Sequence, residues 1–134
     1  MIAGTNSFDV TTMGTYKYIN IKHLEALAEG NNEFVMELIN MFTKQVPLFA
    51  EQLDMHLDNG DLVALAKLSH KIKGSAATMG FKQLVKNMKE LEELANQNTQ
   101  TQRYSELIDK YKQLTTEIVE ELKDYIHRYK LDES

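Results

Sequence analysis

The sequence predicts an all-α protein, an up-and-down antiparallel four-helix bundle with an additional short N-terminal helix, and three observations predict it. Leu, Lys, Glu, Gln and Met are abundant, while six glycines and one proline leave little turn chemistry; this stock favours helix over sheet. Apolar residues recur at intervals of three and four along every long segment, the period of an amphipathic helix. The polar breaks between segments are short, which makes sequence neighbours antiparallel in space. A chain of 134 residues with 43% hydrophobic content suffices for one core and is too short for two ordinary domains.

Each element follows in order. Residues 1–15 mix Gly, Thr, Ser and Asn without periodicity and read as a flexible N-terminal arm, with the bundle domain placed over residues 16–130. Ile21, Leu24, Leu27 and Ala28 mark a short amphipathic helix ending at Gly30, a left-handed cap. Asn31 or Asn32 caps the next helix, whose apolar face is read as Phe34, Leu38, Met41, Phe42, Leu48, Phe49 and Leu53. Pro47 falls inside it and predicts a kink, or two helices meeting. Asp58-Asn59-Gly60-Asp61 gives a turn and an N-cap for a third helix. That helix runs to about Met79, closed by Gly80. A fourth carries the stripe Phe81, Leu84, Met88, Leu91 and Ala95, down to a polar loop over residues 96–101. The last and longest alternates by four and three through Leu107, Tyr111, Leu114, Ile118, Leu122, Tyr125 and Tyr129, the seam of a helix packed nearly antiparallel to its neighbours.

One histidine stands apart. At about 100° per residue, Leu62, Leu65, Leu68, Ile72, Ala76 and Met79 share one side of the third helix and His70 lies nearly opposite. Small residues surround it on that side: Val63, Ala66, Gly74 and Ala77. Lys67 and Lys73 flank it, and Lys71 follows it. A glycine inside a helix costs about 1 kcal/mol relative to alanine, so Gly74, one turn beyond His70, predicts access by another molecule. Nearby cations disfavour imidazolium and keep a nucleophilic nitrogen available. An ammonium one turn away also suits the dianionic group that phosphorylation would leave there.

Charge is unevenly distributed. Residues 62–91 hold six lysines against Glu90, a local excess of +5 in a chain of net charge −5, so the remainder carries −10. Such a basic island steers an acidic or phosphorylated partner to this face. The overall acidity argues against nucleic acid. Cysteine is absent, which excludes disulfides and thiolate metal sites. The residues show neither a membrane-spanning apolar run nor a signal-peptide pattern, so no membrane partner and a cytoplasmic location are expected. Asp54, His56 and Asp58 are spaced wrongly for one helix face, and no metal site is assigned.

The run His70-Lys71-Ile72-Lys73-Gly74-Ser75-Ala76-Ala77, followed by Met79-Gly80-Phe81, resembles the signature of histidine-containing phosphotransfer (HPt) domains. The resemblance extends to Tyr18-Ile19-Asn20-Ile21 with Leu24 and Leu27, and to Gly30-Asn31 with Phe34, covering most of residues 16–125. It implies a four-helix bundle that shuttles phosphoryl groups between receiver-domain aspartates in two-component phosphorelays. It further implies that His70 is the phosphorylated histidine, that Lys73 contacts the phosphoryl group and that Gly74 leaves room for the partner. Some family members place a glutamine on the following helix; the aligned residue here is Glu92, which when ionised can accept from an imidazole N–H but cannot donate to phosphate. Lys67 and Lys71 support the site by charge.

The function expected is a phosphocarrier rather than an enzyme: a relay intermediate between the receiver of a hybrid histidine kinase and that of a response regulator. The competing expectation is a bundle that docks receiver or kinase domains without carrying phosphate. The resemblance implies that the receiver supplies Mg²⁺ and the aspartate, so no cofactor is expected. A nucleotide-binding glycine loop is absent, so ATP is not the direct donor. Receiver docking is assigned to Leu24, Phe34, Val63, Ala66 and Ala77, and the oligomeric state to a monomer.

Overall fold

The computed structural model describes residues 16–129; the arm assigned to residues 1–15 lies outside them. Among the described residues five helices follow one another: α1 (Ile21–Ala28), α2 (Asn32–Asp58), α3 (Leu62–Met79), α4 (Lys82–Asn96) and α5 (Arg103–Tyr129). The four long helices close a ring in which α2 packs on α3, α3 on α4, α4 on α5 and α5 back on α2, while α1 rests against α2. The predicted bundle with its extra short helix is therefore the observed fold.

Local chemistry sets the helix starts. The side chains of Asn20, Asn31 and Asp61 accept hydrogen bonds from the backbone N–H of His23, Phe34 and Ala64, at 3.0, 3.1 and 3.0 Å, satisfying donors that a helix start leaves unpaired. Two left-handed residues close α1, Glu29 with φ 50° and the expected Gly30 with φ 84°. Gly80 closes α3 with φ 81°, and a Cβ there would meet the His23 ring at 2.7 Å. That close approach lets His23 Nε2 lie 2.8 Å from the Thr78 carbonyl, docking α1 on the end of α3.

The core lies along the shared axis. The predicted stripes of α4 and α5 are buried as read, apart from the half-exposed Tyr129, and α5 adds Tyr104, Ile108 and Thr115 to its inner face. Polar atoms carried inward are satisfied: Ser69 Oγ donates to the Leu65 carbonyl at 2.8 Å, and Asn87 Nδ2 donates to that of Leu107 at 3.2 Å.

On α2 the expected apolar face is half corrected. Phe42, Phe49 and Leu53 are buried, but they align with Val35 and Ile39, while Phe34, Met41 and Leu48 face outward. The helix has two apolar lines at helical spacing, and only one meets the other helices. Pro47 does not split the element, which is continuous over all 27 residues. The proline is exposed, so water can reach the carbonyl that its missing N–H leaves free.

Candidate functional site

The site sits on the solvent side of α3 where α4 crosses it. His70 projects outward with its side chain 70% exposed, opposite the buried Leu65, Leu68, Ile72, Ala76 and Met79. The helical projection was sufficient to find it.

Glu92, in the C-terminal half of α4, reaches across to the ring. Its Oε2 lies 2.9 Å from His70 Nδ1, and its Oε1 lies 2.6 Å from Lys73 Nζ. The carboxylate therefore bridges the histidine and the lysine one turn later. An ionised carboxylate only accepts, so Nδ1 is the donor and the neutral ring carries its lone pair on Nε2. Nε2 makes no hydrogen bond among the described residues.

The carboxylate is itself enclosed, with its side chain 16% exposed and Oε1 closed off from solvent beside the Lys73 ammonium. Burial pushes the Glu92 carboxyl upward, but the contacts with Lys73 and His70 outweigh it and hold the group below the usual carboxylate range. The cations beside the ring thus do not act alone; an anion sits between the ring and Lys73.

The remaining predicted residues divide. Lys67 and Lys71 are exposed on the side of α3 facing α2, where Lys71 Nζ stands 5.7 Å from the centre of the Phe49 ring. Gly74 is exposed, and a Cβ built there meets nothing within 4 Å. No contact among the described residues demands the glycine. Val63, Ala77 and Phe34 are exposed, as docking surface requires.

Two assignments are corrected. Leu24 is 1% exposed because it is the inward residue of α1, packed into the core. Ala66 is 5% exposed because it lies on the same side of α3 as Ser69 and Lys73, the side that α4 covers. Neither can touch a partner directly. In exchange, Met41, Leu48 and Met55 on α2 are exposed at seven-residue intervals continuing from Phe34. Their heptad spacing was visible in the sequence, but nothing there said it pointed outward.

Among the described residues no group of metal-ligating side chains is assembled, and no helix is long and apolar enough to cross a membrane.

A family model for the Hpt domain matches residues 37–130, which include all three members of the His70, Glu92, Lys73 cluster. The chain belongs to the Hpt domain family. Among solved structures, the Hpt bundle is similar to the crystal structure of histidine-containing phosphotransfer protein B (HptB) from Pseudomonas aeruginosa PAO1, with TM-score 0.77 and 27% identity over 84% of this chain and 96% of that one. A comparison with curated proteins gives no match.

Proposed function

We propose that this Hpt protein is a phosphocarrier that receives a phosphoryl group on His70 from a receiver-domain aspartate of a hybrid histidine kinase and passes it to the receiver of a response regulator. One observation carries the reading: within the family-matched segment, an outward-facing imidazole is held through Nδ1 by Glu92 while Nε2 stays free. Nε2 attacks the phosphorus of the partner's aspartyl phosphate. A P–N bond forms, the P–O bond breaks, and its electron pair remains on the partner's carboxylate. No base is required, because the attacking nitrogen already carries a lone pair. The reverse step delivers the group to the next receiver.

Lys73 stands one turn from His70, and its ammonium can neutralise incoming phosphoryl oxygens by charge-assisted hydrogen bonds. Such transfer depends on in-line positioning and charge compensation, so the carrier supplies a nucleophile and a cation while the receiver supplies the aspartate and Mg²⁺. Docking is assigned to Phe34, Val63 and Ala77, joined by Met41, Leu48 and Met55, with Lys67 and Lys71 steering an acidic partner.

The test is to incubate the protein with a ³²P-labelled phosphorylated receiver domain. Acid-labile, base-stable label is expected on the wild type and none on His70→Gln. Label persisting in the variant overturns the assignment. Receiver binding without labelling of the wild type favours the scaffold reading instead.

A further inference from the structure

The group meeting Nδ1 is a carboxylate, and its charge matters most after the phosphoryl group has arrived. In the resting ring any acceptor would hold the same tautomer. Once Nε2 has given its lone pair to phosphorus, a ring that still carries the Nδ1 proton is an imidazolium. That proton either remains, leaving the ring cationic, or departs to solvent, leaving a neutral phosphoimidazole.

We propose, resting on the phosphocarrier reading, that Glu92 is a positioning residue whose carboxylate retains the Nδ1 proton on phosphorylated His70, so that the phosphoryl group sits on a ring ready to leave as neutral imidazole. In the onward step the N–P bond breaks and its electron pair returns to Nε2. The ring is then uncharged, with Nδ1–H still donating to Glu92, and no proton has moved. Had the proton been lost first, the leaving group would be an imidazolate, and the step would wait for a proton from solvent.

The surroundings single out Glu92. On α3 the charged neighbours of the ring are Lys67, Lys71 and Lys73, all cations that oppose the proton. On α4, Lys89 lies one turn before Glu92, and α2 carries exposed Lys44 together with exposed Glu33, Glu37, Glu51 and Asp58, none of them paired with the ring. Glu92 is the anion in contact with the ring among the described residues. Its enclosure strengthens the effect, since a charge acts more strongly where water is excluded. Lys73, at 2.6 Å from the other oxygen, holds the carboxylate in place. The carboxyl's low titration range keeps it ionised at neutral pH.

The experiment phosphorylates purified protein with phosphoramidate, a small chemical donor that needs no receiver. The phosphorylated ring is titrated by ¹⁵N and ³¹P NMR, and loss of the phosphoryl group is timed at mildly alkaline pH. Wild type, Glu92→Gln and Glu93→Gln are compared. A carboxylate in contact shifts a neighbour by about one unit or more, so the ring midpoint in Glu92→Gln should fall by at least about that much. Above the midpoint the ring-protonated fraction then drops about tenfold, and the phosphorylated state should live longer by a similar factor. Glu93→Gln should match the wild type. Glu92→Ala should move the same way and provides the readout should the amide disturb the fold. An unchanged midpoint, or a shorter lifetime in the Glu92 variants, overturns the proposal. Because the donor is chemical, failure of receiver labelling leaves this result intact, and the converse also holds.

Discussion

On the face where the segment before α1 lies along α5, Glu121 accepts hydrogen bonds from the backbone N–H of Lys17, Tyr18 and Ile19 at 3.0, 2.9 and 3.1 Å. Flanking it, the Tyr16 and Tyr18 hydroxyls donate to Asp124 and Glu117 at 2.6 and 2.8 Å. On the α3–α4 face, Glu92 instead holds two side chains, His70 and Lys73. Both faces use a carboxylate as acceptor, yet one closes on the chain's own backbone and the other on groups able to exchange partners. Backbone N–H groups cannot move away without unmaking the segment; an imidazole and an ammonium can turn to an incoming phosphoryl group. The first arrangement fixes structure, and the second leaves chemistry available.

That contrast can be broken most directly at Glu121. Alanine there removes one charged acceptor from three backbone donors at once, and a stability loss of about 2 kcal/mol is expected, with faster amide exchange confined to residues 17–19. Urea unfolding together with hydrogen exchange checks it. An equal loss from Glu92→Ala would erase the distinction between the faces.

A smaller effect of opposite sign is expected at Gly74. Alanine meets no atom of the described residues and removes a helix-interior glycine, so the isolated protein should gain about 1 kcal/mol. Phosphoryl transfer from a receiver should slow in the same variant, because the added methyl stands beside His70 where a partner approaches. Thermal unfolding and transfer kinetics measured side by side sharpen the comparison; a variant both more stable and equally fast would remove Gly74 from the docking surface.

The smallest effect is the acid response of Glu92. Its carboxyl titrates lower in the folded protein than its ordinary value of 4.5, so its contribution to stability is fully present above that value and is lost as pH falls through the lower folded one. Between about pH 6 and about pH 3, Glu92→Gln should therefore lose less stability than the wild type, by under about 1 kcal/mol. Urea midpoints at the two pH values decide it, and an equal or greater loss in the variant would contradict the bridge.

Legibility from sequence differed from helix to helix. On α5 the apolar residues off the read seam, Tyr104, Ile108, Val119 and Ile126, also pack in or against the core, so one orientation buries the stripe, and all its read residues but Tyr129 are inside. On α2, Phe34, Met41, Leu48 and Met55 form a second line of large apolar residues beside the buried one, and periodicity cannot rank two such lines. Leu24 and Ala66 failed as surface for a related reason: a single-helix projection does not know where the neighbouring helix lies. His70 succeeded because the far side of α3 is unambiguous.

The amino-acid order by itself determined the helical class, the caps at Asn31, Asp61 and Gly80, the exposed histidine with its lysines and the family signature around it, because each depends on residues within a turn or two of one another. Only the tertiary structure decided which line of α2 faces water, that Ala66 is covered, and that Glu92 joins His70 to Lys73. Those depend on the placement of one helix against another 22 residues away along the chain, which the packing of the whole core sets and no local pattern records.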